Sequence, residues 1–299
     1  MIDKIFGILP KSMKDYLRGV KERIDLKKSD KLKKANTISQ KEVRDLLQSF
    51  HLDCDVFLHT SLRKIGYEIE GGKEFVAAVI KDVVDLKKHT LLVSALPFRT
   101  TMKEFLDEHS FVDMRNAPNA MGAINNIFMA DNRSFRSLHP THSVVAIGNE
   151  AEQYVAEHHF DKTPFGVHSP YYKLMENNGK ILLFGVDLTS MTFTHVIEDL
   201  LGEDYPVDVY LERGYDVEVI GFDGQKNEVI TKCHDPKVSS IRDCESIRKY
   251  LIEAGAMVTR KLGVGEVSLV DAKLYNRVVC KLLLEKKSIY GDVVLSSKA

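Results

Sequence analysis

The stretch Lys180-Ile181-Leu182-Leu183-Phe184-Gly185-Val186-Asp187-Leu188-Thr189-Ser190-Met191-Thr192-Phe193-Thr194-His195-Val196-Ile197-Glu198 decides the reading of the chain. It opens with an apolar run too short for a helix and too uniformly apolar for a strand with one wet face. Such a run is a strand buried on both faces. A polar turn follows, then a helical pattern over Thr192–Leu201. On that helix Thr192, His195 and Glu198 recur at three-residue steps and share one face. A carboxylate beside an imidazole fixes its tautomer and steadies its charged form, as a general base requires. From spacing alone, a general-base pair and an exposed helical His–Glu pair are equally served.

The same grammar recurs upstream. Ser39 and Glu42 form a capping-box pattern before a helix with Val43, Leu46, Leu47 and Phe50 on one side. Asp55–His59, Thr90–Leu96 and Ser143–Gly148 read as buried strands, with helices over about 72–86, 119–129, 151–158 and 169–177 between them. Alternation of this kind predicts a three-layer α/β/α fold with a large, mostly parallel central sheet. After Asp204 the pattern changes. Val207–Leu211, Asp216–Phe222 and Glu228–Thr231 alternate around turn residues and predict an antiparallel hairpin extension in the C-terminal third. Two helices, 241–254 and 271–286, close the chain around a strand near Met257–Lys261. The weakly periodic region Phe98–Pro118 has the look of a substrate loop.

The chain has 299 residues and a net charge of −1, with 44% hydrophobic and 28% charged residues. That balance suits a globular enzyme and excludes an electrostatic nucleic-acid binder. No apolar run is long enough to span a bilayer, and Ile5–Leu9 is not a secretory signal, so a cytoplasmic location is expected. Charge is uneven. Residues 1–36 carry eleven Lys/Arg against five Asp/Glu, while the remainder carries 31 against 38. They form a basic helical arm and linker that could touch an anionic membrane surface, and residues 37–299 form a single domain. Cys54, Cys233, Cys244 and Cys280 show no metal or disulfide spacing and are expected as free core thiols.

Three further segments lie at strand ends. His59-Thr60-Ser61-Leu62-Arg63-Lys64-Ile65-Gly66 could hold phosphate with its hydroxyls, amides and cations, or could be a plain polar loop. Arg136-Ser137-Leu138-His139-Pro140-Thr141-His142-Ser143 packs two histidines, three hydroxyls and an arginine into eight residues. Pro140 and the absence of nearby carboxylates argue against a metal there, and none is expected. Asp161-Lys162-Thr163-Pro164-Phe165-Gly166-Val167-His168-Ser169-Pro170 reads as a loop shaped by its prolines and glycine.

Together these segments resemble the aminoglycoside 3-N-acetyltransferase family, from about Thr37 to Leu284. His59-Thr60-Ser61-Leu62 with Gly66 is similar to its His-Ser-Ser-Leu…Gly loop, with Thr60 in place of the first Ser. Pro118-Asn119-Ala120-Met121-Gly122 is similar to its Pro-Ser-Arg-Met-Gly turn, with Ala120 in place of Arg. Arg136–Ser143 is similar to its Arg-Ser-x-His-Pro-Thr-His-Ser signature. Pro164-Phe165-Gly166…Ser169-Pro170 and Leu182–Val186 followed by Thr192…His195…Glu198 complete the order, with Thr189 where an Asp is common. Each piece alone is weak; the order carries the resemblance.

The resemblance implies an acetyl-CoA-dependent N-acetyltransferase acting on an amino sugar by direct transfer in a ternary complex. His195 would be the base, Glu198 its support, and Thr192 a donor to the oxyanion. His59, Thr60, Ser61 and Leu62, with Arg136, Ser137, His139, Thr141 and Ser143, would hold the coenzyme. The acceptor would be an aminoglycoside or a nucleotide-linked sugar of polysaccharide synthesis, and the basic arm favours the latter. A homodimer is compatible with such an enzyme. The competing readings are a non-catalytic sugar- or CoA-binding homologue and a metal-dependent hydrolase using His139, His142 and His168.

Overall fold

The structure is a computed structural model and describes residues 36–293. All of the basic arm except Asn36 therefore lies outside the described residues. In chain order the strands are β1 (Thr37–Ile38), β2 (Val56–Thr60), β3 (Glu68–Ile69), β4 (Thr90–Ser94), β5 (Phe111–Asp113), β6 (Ser134–Arg136), β7 (Val144–Gly148), β8 (Lys180–Phe184), β9 (Tyr210–Ile220), β10 (Lys226–His234), β11 (Met257–Leu262), β12 (Gly265–Asp271), β13 (Lys287–Ser288) and β14 (Gly291–Asp292).

Seven of them form the central sheet in the order β11-β12-β8-β2-β4-β7-β6. Its middle, β8-β2-β4, is parallel. The outer pairings are antiparallel. Five of the seven strands thus point one way, but the pairing is mixed rather than mostly parallel. Short connection accounts for the two edge pairings: a two-residue turn joins β11 to β12, and seven residues join β6 to β7, too few for a crossover. β12, which lies between the expected strand near Met257–Lys261 and the expected helix from Asp271, was not expected from the sequence.

The sheet is covered on both faces. Phe57, Leu92, Ile181 and Leu183 meet the helices Pro170–Glu176 and Ala272–Leu284 on one side. Val56, Leu58, Leu91 and Val93 meet Gln40–Gln48 and Gly72–Val84 on the other. This is the expected three-layer α/β/α arrangement, and the Ser39–Glu42 capping box forms as the spacing predicts. No helix among the described residues is long and apolar enough to cross a membrane.

The antiparallel extension is a three-stranded sheet, β10-β9-β5. Glu212-Arg213-Gly214, the turn residues between the expected strands Val207–Leu211 and Asp216–Phe222, lies inside β9, where Gly214 pairs with Lys232. The hairpin is therefore one long ladder. A register shift between Lys232 and His234 breaks it at the end of β10. Such an irregularity re-aims the side chain beyond it, and that side chain is His234. Phe98–Pro118 is not structureless: helix Met102–Glu108 packs Phe105 and Leu106 against Val217, Val219 and Val229 of the hairpin.

Candidate active site

β8 ends at Phe184, and the chain passes through two 3₁₀ turns, Leu188–Ser190 and Thr192–His195, into helix Val196–Leu201. Three residues per turn stack Thr192 and His195, and Glu198 follows one turn on. The pair is not an exposed one. His195 is 6% and Glu198 2% exposed, and His195 Nδ1 lies 2.6 Å from Glu198 Oε2. Tyr290 donates its hydroxyl to Glu198 Oε1 at 2.7 Å. His234 Nε2 stands 3.4 Å from Glu198 Oε2, with its ring 4.2 Å from the His195 ring. Phe165 packs against His195 at 5.0 Å.

Arg242 Nη1 donates to His195 Nε2 at 2.6 Å. A guanidinium can only donate. Nε2 therefore accepts, and the imidazole proton sits on Nδ1 against Glu198. This is the neutral tautomer with its lone pair directed away from the carboxylate. Burial pushes the Glu198 carboxyl up, but His195 and His234 outweigh it and hold the group well below the usual carboxylate range. Asp199 beside it is raised by burial, and accepts from Phe165 N and Tyr210 Oη. His195, Glu198 and His234 place three donor atoms within 4.8 Å of one another, a spacing that suits a divalent cation by ligand type. The Arg242 charge against the same imidazole disfavours a second cation there.

Loop 59–66 sits where the sequence places it, at the C-terminal ends of the parallel strands. Ser61 N donates to Phe184 O at 2.8 Å. Gly185, at φ +71°, lets the loop close: a Cβ there would lie 2.4 Å from Ser61 O. His59 is buried with Nε2 unpartnered among the described residues, and burial lowers it to about 4. Leu62 begins the short helix Leu62–Ile65.

The segment 136–143 answers differently. Arg136 donates to the carbonyls of Ala117, Ala95 and Pro118 and to Ser143 Oγ. Ser137 Oγ bonds His158 and receives Val144 N. His139 Nδ1 accepts from Thr141 N and His142 N, and Thr231 takes its Nε2. Thr141 Oγ1 bonds His142, and Ser143 Oγ bonds Ala95 O. All five expected coenzyme ligands here are buried. Their polar atoms are engaged with one another and with the neighbouring backbone. The hydrolase set does not assemble either: His168 pairs with Asp161 at 2.8 Å, apart from His139 and His142.

A cleft of about 480 Å³ adjoins the pair, and Glu198, Asp199, Glu203, Asp208 and Glu212 line it against Lys232. In region 98–116, Asp107 pairs with Lys103 and Arg213, and Asp113 with Arg115. His234, Arg242 and Tyr290 escaped the sequence reading. They reach the site from 36, 47 and 92 residues away, and no local pattern marks them.

The sequence profile described as aminoglycoside 3-N-acetyltransferase matches residues 57–283. Aminoglycoside N(3)-acetyltransferase IX of Micromonospora chalcea is 30% identical over 158 residues, covering 48% of this chain and 55% of that protein. The chain thus spans about half the length of that relative. Aminoglycoside N(3)-acetyltransferase III of Salmonella sp is 28% identical over 242 residues, 75% of this chain and 81% of the relative. The structure of AAC-IIIb with CoASH superimposes with a TM-score of 0.67 at 20% identity, covering 84% of this chain and 97% of that one, a likeness of fold. The chain belongs to the aminoglycoside 3-N-acetyltransferase family.

Proposed function

We propose that the protein transfers the acetyl group of acetyl-CoA to an amine of a polycationic amino sugar of the aminoglycoside type, with His195 as general base. The observation that carries this is the buried His195–Glu198 pair beside a cleft lined by five carboxylates. Such a cleft concentrates polycations. Loop 59–66, which carries the cations Arg63 and Lys64, is the place for the coenzyme in this reading, and the structure of AAC-IIIb holds CoASH. His195 Nε2 takes the proton from the amine as its nitrogen attacks the thioester carbonyl, the carbon–sulfur bond breaks, and the thiolate leaves. Thr192 Oγ1, buried at the first turn of the His195 helix, is the hydroxyl donor at hand for the oxyanion. No enzyme nucleophile is required. Burial pushes Cys54, Cys233 and Cys244 up to about 11, which leaves them unreactive thiols near neutral pH.

The surplus of basic residues in 1–36 favours a second acceptor class, nucleotide-linked amino sugars. Assaying CoA release against a panel of both classes separates them. The expected result is turnover of aminoglycosides, with kcat/KM falling steeply as salt rises. Turnover of nucleotide-linked sugars alone would overturn the acceptor class while leaving the base assignment intact.

A further inference from the structure

His195 Nε2 is the atom an acceptor amine must reach, and in this structure a side chain of the protein already holds it. Arg242 donates to it at 2.6 Å. Among the described residues His195 is the one hydrogen-bond partner of that guanidinium, and no carboxylate pairs with it. A cation held by a neutral ring without a counter-ion is easily displaced by another cation. The segment that carries it is lightly packed between two fixed ends. Arg242 lies in the strap between β10 and the 3₁₀ turn Cys244–Ile247. The strap's helix, Pro236–Ser240, has no fully buried side chain and rests on the core through partly buried Val238, and Ile241 is 63% exposed. Both ends are fixed, by His234 against the His195 ring and by buried Cys244.

We infer that Arg242 selects amine over water: its guanidinium closes the His195 lone pair until a cationic acceptor replaces it, so that acetyl-CoA is not hydrolysed between turnovers. A base that deprotonates an amine also deprotonates water. In that side reaction His195 Nε2 takes a proton from water and the oxygen adds to the thioester carbonyl. The carbon–sulfur bond then breaks, and the imidazolium proton passes to the departing thiolate, giving CoASH and acetic acid, which releases its proton to solvent as acetate. A guanidinium blocks this route because it offers N–H groups where water would sit and cannot itself lose a proton or be acetylated at neutral pH. A cationic acceptor that reaches Nε2 brings a like charge to Arg242 and drives the strap outward.

The inference rests on His195 being the base, and the experiment keeps the two apart. Thiol release from acetyl-CoA is measured without acceptor in wild type, Arg242→Met, His195→Ala and the double variant, with melting temperatures recorded for each. Arg242→Met should hydrolyse acetyl-CoA about tenfold faster or more, and the double variant should return to background. A folded Arg242→Met that still acetylates amines but hydrolyses no faster than wild type overturns the inference. Undiminished acetylation by His195→Ala would remove the base, and the inference with it. Should Arg242→Met not fold, Arg242→Gln decides by the same readout.

Discussion

In the proposed mechanism Glu198 acts through one proton. Its carboxylate accepts from His195 Nδ1, which leaves Nε2 free to accept, and Tyr290 and His234 hold the carboxylate in register from outside its own helix. A neutral amide of the same shape could present its N–H₂ to Nδ1 and stabilise the opposite tautomer, with the proton on Nε2. Glu198→Gln is therefore expected to lower kcat by about 10²–10⁴-fold with a much smaller change in the KM for acetyl-CoA. Steady-state kinetics on the folded variant check this, and a kcat within a few-fold of wild type would assign Glu198 to packing alone. Thr192, His195 and Glu198 were legible in the sequence because a single turn of chain sets their spacing.

At the scale of elements, connections explain what was and was not legible. The turn from β8 into the His195 helix and the loop after β2 are contiguous, so their motifs survive as strings of residues. Segment 136–143 is contiguous too, yet its string does not reveal its partners. Those are the carbonyls of Ala95, Ala117 and Pro118, 18 to 41 residues away. Arg136 thus fastens three chain segments at the end of β4. Arg136→Met is expected to strand those carbonyls and to cost about 3 kcal/mol or more in urea unfolding. The KM for acetyl-CoA of the folded fraction should stay near wild type. A raised KM with wild-type stability would return Arg136 to the coenzyme site. The hairpin gives the same lesson: alternation announced its strands, but the irregularity that points His234 at His195 lies in the pairing and has no sequence sign.

Across the whole molecule, the expected layers were legible because burial on both faces leaves long apolar runs. Pairing direction at the sheet edges was not, since short connections rather than side chains impose it. Burial also sets how the fold responds to acid. It lowers His59 from 6.5 to about 4 and His158 from 6.5 to about 3. In the unfolded chain both take protons below pH 6.5, and in the folded chain they resist. Their contribution is complete above pH 6.5 and is lost as pH falls toward 4, with a slope of up to about 1.4 kcal/mol per pH unit for each histidine. The urea midpoint should therefore drop between pH 7 and pH 4.5, and a flat profile would show that the two rings are charged inside the fold.

The central claim is that His195 takes the acceptor's proton. Acetyl transfer from acetyl-CoA to an aminoglycoside, measured for folded His195→Ala against wild type, tests it most directly. The account predicts a fall in kcat of about 10²–10⁴-fold; an undiminished rate would contradict it.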